Sequence, residues 1–335
     1  MSKPSIFKPS ILHSLPRRAL ICGLALAAAL PSLAAQPEAY PNKPIKWTVG
    51  FPAGGGTDVL ARTVGVELSK HLKQQVIIDN RAGAAGMIAA EAISHAAPDG
   101  YNLLTADVAI LAFNPAIYSN IRYDAQKSFT SVGLMGRFPI LIAASTQSGI
   151  KNMNELMEQI RKGSIGYGTA GVGTPHHLAM EMLLGNTQTQ ADHVPYKGDA
   201  PALQDLAGGQ IKVAALAPSL SLPFVKEGKL VPLAVTGDKR LPQLPHVPTL
   251  KELNLSTQAV YAWQGLVVPK DTAPDRVQLI ASALKTSLAN PEVVRKLEEL
   301  GMEAIPSTSD AMTAYVREEQ NRWGPMIKAR GITNK

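Results

Sequence analysis

Three glycine-rich turns, each set between an apolar run and a stretch of helical spacing, restrict how this 335-residue chain can fold. They read FPAGGGTD (Phe51–Asp58), NRAGAAG (Asn80–Gly86) and YGTAGVGTPHH (Tyr167–His177). Glycine lets backbone N–H groups approach a bound group closely, and a helix N-terminus behind the turn favours negative charge. Turns of this kind drawn from separated stretches are suited to holding a polar anion, mainly by backbone.

The rest of the chain repeats the strand–helix alternation, which predicts an α/β class. Leu60, Val64, Leu68 and Leu72 recur every four residues and form one helical stripe. VIID reads as a strand, Met87–Ala97 as a helix and ILIAAS (Ile140–Ser145) as a strand. Thr174 suits an N-cap and Pro175 the first helical position, with Gly185 ending that helix. Strands follow at HVPYKG, KVAALAPS, LVPLAVT and WQGLVVP; helices fill Pro274–Leu288, Pro291–Leu300 and Asp310–Ala329. Two extended stretches, SVGLMGRFPILIAAS and AVYAWQGLVVP, have the pattern of strands crossing between lobes. They divide the chain into a discontinuous lobe (35–138 and 259–335) and an inserted lobe (139–258), joined by a hinge.

The first residues carry Lys3, Lys8, Arg17 and Arg18 with no acid before Glu38. The apolar run Ala19–Leu30 and the small residues of PSLAA follow. This predicts a secretory signal peptide over residues 1–34, cleaved near Ala34, because the run is too short for the ~20 residues of a membrane span. The Arg17–Arg18 pair leaves the twin-arginine route open beside the general one. Removal of residues 1–34 leaves 29 basic against 26 acidic residues and takes the only cysteine, Cys22. The formal charge then falls from +7 to +3, which argues against nucleic acid as a partner. No thiolate nucleophile, disulfide or Cys-ligated metal is expected in the mature chain.

Taken together in their order and spacing, FPAGGGTDVLAR, DNRAGAAG, PDGYNLL, YGTAGVGTPHHLA, HVPYKGDAPALQDLAGGQI and KRLPQLPHVPTLKE are highly specific. The chain resembles the Bug receptors, the TctC-type substrate-binding proteins of tripartite tricarboxylate transporters, from YPNKPI at Tyr40 to RWGPMIKARGI at Ile332. The resemblance implies a periplasmic, two-lobed Venus-flytrap fold with two crossover strands. It implies a small carboxylate ligand that is handed to membrane transporter subunits or, in some members, reported to a sensor kinase; no cofactor and a monomer are expected, and a dicarboxylate, an amino acid and a pyridine carboxylate are the ligand classes kept open. The ligand loops it implies are Phe51, Ala53, Gly54, Gly55, Thr57 and Asp58, then Asn80, Gly83, Ala84 and Gly86. From the other lobe come Thr169, Gly171, Gly173, Thr174 and His177, then Tyr196, Gly198 and Asp199.

Two acids depart from what the resemblance implies. Asp199 stands where a small or neutral residue is expected, and Asp107 adds a carboxylate beside an anion site. Either could select a ligand with a cationic or N–H donor group, although Asp199 before APALQDL also suits a helix cap. His176 and His177 are adjacent and point apart on a helix, a poor metal pair; of the two, His177 is expected in the cleft. The sequence holds no G-x-S-x-G elbow or H-E-x-x-H, and the first turn lacks the G-x-G-x-x-G spacing for a dinucleotide. No catalytic residues are expected, and an exported α/β enzyme is the remote alternative.

Overall fold

The computed structural model describes residues 39–332. The expected signal peptide, its cleavage point near Ala34 and Cys22 lie outside the described residues. In chain order the elements are β1 (Ile45–Val49), α1 (Gly56–Leu72), β2 (Val76–Asn80), α2 (Met87–Ser94), β3 (Asn102–Asp107), α3 (Asn114–Ile117) and β4 (Phe129–Pro139). Then come β5 (Leu141–Ser145), α4 (Met153–Arg161), β6 (Gly166–Thr169), α5 (Pro175–Asn186), β7 (Asp192–Pro195), α6 (Asp199–Ala207) and β8 (Val213–Leu216). The chain closes with α7 (Pro218–Lys226), β9 (Leu230–Val235), β10 (Tyr261–Pro269), α8 (Pro274–Ala289), α9 (Pro291–Glu299), β11 (Glu303–Ala304) and α10 (Ser309–Ala329).

These strands build two sheets. One runs β11-β4-β10-β3-β1-β2 and the other β7-β6-β8-β5-β9. Strands β1, β2 and β3 are parallel to one another in register, as are β6, β7 and β8. Each parallel trio therefore ends on one edge of its sheet, the edge where open α/β sheets bind ligands. The loops leaving those ends begin at Gly50, Arg81 and Val108 in the first sheet, and at Ala170, Tyr196 and Ala217 in the second. Packing holds the trios in place. Ile45, Trp47 and Val49 are fully buried against Leu60, Val64 and Leu68 of α1, and the Trp47 indole N–H donates to Thr105 Oγ1 at 2.8 Å.

The chain changes sheet at Ile140, between β4 and β5, and returns along 236–260 into β10. Thr236 fastens both passages. Its N–H donates to Ile140 O (3.0 Å), its Oγ1 accepts from Ile140 N–H (2.8 Å), and the hydroxyl donates to Val260 O (2.6 Å). The C-terminal helix adds a further tie, since Arg330 beyond α10 donates to Glu181 O on α5 at 3.0 Å.

Several elements differ from the sequence reading. Helix α2 stops at Ser94 rather than Ala97, and α5 runs one residue past Gly185 to Asn186. After β3 the chain enters a π turn, Ala109–Phe113, and then α3, neither of which has enough periodicity to be read. Helix α7 contains Pro223, a residue that removes a helical hydrogen bond and hides the element from a pattern search.

Candidate functional site

The first turn is held from beneath by Asp58. Its Oδ2 accepts from Gly54 N–H at 2.8 Å and from Arg62 Nε at 2.9 Å, and its Oδ1 accepts from Asn80 Nδ2 at 2.8 Å. Asn80 also donates to Phe51 O at 3.0 Å, so the loops after β1 and β2 are bound into one platform. Burial pushes the Asp58 pKa up, but hydrogen bonds from Arg62, Gly54 and Asn80 outweigh it and hold the carboxyl below its ordinary value. Asp58 and Asn80 were expected at the ligand; their polar atoms are used within the platform and neither lines the cleft. Gly54, Gly86 and Gly173 also shape turns without lining it, and Gly86 sits where a side chain would strike Ile110.

From the second sheet, Thr174 caps α5, its Oγ1 accepting from His177 N–H at 3.4 Å and donating to Gly171 O at 2.7 Å. Thr169 Oγ1 lies 2.6 Å from His193 Nε2 and does not line the cleft. The adjacent histidines resolve in the sense opposite to the expectation. His177 turns into the second lobe and stacks on His193, ring centroids 4.0 Å apart and 13° from parallel, with Tyr167 stacked beyond. Burial lowers both histidine pKa values to about 4, so both rings are neutral at pH 7. His176 is the one that faces the cleft. One residue along a helix is a 100° rotation, and the stack with His193, sixteen residues on, chooses which ring goes inward.

The platforms meet across two adjoining spaces that share Phe51, Pro52, Ala170 and Gly198. The wider, about 380 Å³, lies between Ala82–Ala85 of the first sheet's loops and Gly171, Val172 and Pro195–Lys197 of the second's. Gly83, Ala84, Gly171 and Tyr196 of the expected set line it. Ala84 and Ala85 both hold left-handed backbone (φ 47° and 48°), a costly conformation for alanine and one that concentrates at ligand sites. The narrower space, about 20 Å³, takes roughly one water. Ala53, Gly55, Thr57, Thr174 and three ionisable side chains, Asp107, His176 and Asp199, line it.

Those three come from different strands' ends. Asp107 ends β3, is buried, and accepts from Ile110 N–H at 3.0 Å; burial raises its pKa to about 7 against that hydrogen bond and the nearby His176 ring. Asp199 is the first residue of α6, and its side chain makes no cap bond to its own helix, contrary to the capping role weighed from sequence. It reaches sideways instead, Oδ1 accepting from Ala217 N–H at 3.2 Å. Burial pushes Asp199 up, while the His176 imidazole and the nearby backbone N–H groups of Ala217 and Gly56 outweigh it and keep the carboxyl below its ordinary value. His176 Nε2 stands 3.2 Å from Asp199 Oδ1, close but off-axis: neither ring nitrogen has an aligned hydrogen-bond partner among the described residues. Sequence reasoning passed over His176 in favour of its neighbour His177 and missed Lys197, an exposed residue that no local pattern singles out.

The model of the tripartite tricarboxylate transporter family receptor matches residues 60–332. This chain is a member of that family. A UPF0065 protein of Agrobacterium vitis is 34% identical over 90% of this receptor and 86% of its own length. Among solved structures, the periplasmic binding protein BugD superposes with a TM-score of 0.84 at 31% identity, covering 88% of this receptor and 100% of BugD. An R. palustris protein solved with adipate gives 0.84 and 31% over 87% of this receptor and 98% of its own chain. The receptor is accordingly a periplasmic solute-binding protein of the Bug and TctC type with the two-lobed fold, and not an enzyme.

Proposed function

We propose that this receptor captures a small organic carboxylate in the cleft between its sheets and delivers it to a tripartite tricarboxylate-type transporter. The lobes are residues 35–138 with 259–335, and 139–258. The observation that carries the reading is the convergence of loops from the carboxyl ends of both parallel trios, with the N-termini of α1, α5 and α6 among them. Each terminus offers about half an elementary positive charge, so an anion is attracted without an arginine clamp. Phe51, Ala53, Gly55, Thr57, Gly83, Ala84, Asp107, Gly171, Thr174, Tyr196, Gly198 and Asp199 are the residues of the expected set that line this cleft. The adipate in the R. palustris structure is the kind of solute the reading calls for.

Thermal melting of unfolded and refolded protein against mono-, di- and tricarboxylates, amino acids and nicotinate tests it. A ligand at ~100 times its Kd adds ~2.7 kcal/mol of stability, a rise of about 4 °C in a chain of this size. If no carboxylate in the panel moves the midpoint while a sugar or a cation does, the receptor reads a different solute class.

A further inference from the structure

The cleft is electrically lopsided. Asp107, His176 and Asp199 line its narrow end, and no Lys or Arg does. The wide end is lined largely by small residues and loop backbone, and its one charged side chain is Lys197. A symmetrical dicarboxylate spanning the two ends would press one negative group against two buried aspartates. In a site shielded from water that repulsion is several times stronger than in bulk solvent.

One of the helix N-termini that could offset the repulsion already holds an anion. Helices α1, α5 and α6 begin at the narrow end, and α7 begins just behind it at Pro218. Asp199 supplies the negative charge from within the chain, its Oδ1 accepting from Ala217 N–H at the start of α7. Asp107 accepts from Ile110 N–H in the turn after β3, and the basic group facing it is His176. His176, only 5% exposed, brings two ring nitrogens without aligned partners to the same wall. The space left among them holds about one water, and an ammonium head is of that size. Among the described residues no group of three or more His, Cys, Asp or Glu is spaced to hold a metal ion, so an organic cation is the better-fitting partner.

We propose that the ligand carries a single carboxylate, seated in the wide end beside Lys197, and turns an ammonium group into the narrow end against Asp107 and His176. The inference rests on the carboxylate-receptor reading and narrows it to amino-bearing monocarboxylates, with Asp199 standing in for the second carboxylate of a dicarboxylate.

Calorimetric titration of refolded protein with matched pairs tests it: succinate against 3-aminopropanoate, glutarate against 4-aminobutyrate, adipate against 6-aminohexanoate. The amino member of at least one pair should bind tenfold or more tightly than its dicarboxylate partner. Asp107→Asn should erase most of that preference, and Asp199→Ser, by vacating the anion seat, should raise dicarboxylate affinity at least tenfold. The wild-type comparison needs no variant to fold. Dicarboxylates binding as well as or better than their amino partners in every pair would overturn the inference and leave the receptor reading standing. Absence of binding by every carboxylate, amino-bearing or plain, would overturn both.

Discussion

Gly198 shows how much of the cleft rests on single backbone positions. It sits between β7 and α6 at φ 110°, and a Cβ there would meet Pro52 of the opposite platform at 2.8 Å. Gly198→Ala therefore combines left-handed strain with a clash across the cleft, and should cost about 1–3 kcal/mol of stability. Ligand affinity should fall as well; urea denaturation and titration separate the two losses. The histidine stack gives a second residue-scale test. His177 and His193 fall to about 4 when folded against an ordinary 6.5, so their neutral forms favour the folded state. That stabilisation is complete above pH 6.5 and is lost as pH drops toward 4. At pH 5 the His177 ring alone should cost about 2 kcal/mol relative to pH 7.5. Glu181, 3.7 Å from His177 Nε2, and Tyr167 are the other titratable groups facing the stack. Denaturation of His177→Gln across that range should show a shallower decline; an unchanged slope would place the pH sensitivity elsewhere. At this scale the sequence was a good guide to turns and caps, because Thr174–Pro175 and the glycines act on their own neighbours. It was a poor guide to which side chain faces the cleft. Asp58 looked like a ligand group and is a tie, and His177 looked like the cleft residue although His176 is.

Among elements, α10 depends on one buried acid. Glu319, 6% exposed, accepts from the indole N–H of Trp263 on β10 at 2.8 Å and of Trp323 at 3.0 Å. Removing it leaves two buried donors without acceptors, each costing about 1–3 kcal/mol. Glu319→Ala should destabilise the receptor by about 2–4 kcal/mol in urea denaturation, and Glu319→Gln, which keeps an acceptor, by less. If the two variants lose equally, the indoles find other partners and α10 is held by packing alone. The elements themselves were largely legible, since the apolar periodicity of α1 and the runs at β5, β8 and β10 are local signals. Helix α7 was not legible: Pro223 argues against a helix, and only its seat against β9 and α6 overrides that argument. The π turn after β3 escaped for a similar reason, because Asp107 and the Tyr123 hydroxyl, which donates to Ile110 O, fix it from outside the segment.

At the scale of the whole molecule, the cleft exists because two parallel trios end on facing edges and the chain passes between sheets at Ile140 and again before β10. Thr236, bonded to both passages, ties the hinge region. This arrangement joins residues as far apart as Asp107 and Asp199, a pairing that no local pattern announces. The sequence displayed each acid as a departure, and the fold brings them to one wall beside His176. The most direct measurement is a crystal structure of refolded receptor with the carboxylate selected by the melting screen. One ligand molecule should lie between the sheets, its carboxylate bonded to N–H groups from loops of both trios. A ligand resting on one lobe alone, or bound outside the space bordered by Phe51, Ala170 and Gly198, would contradict it.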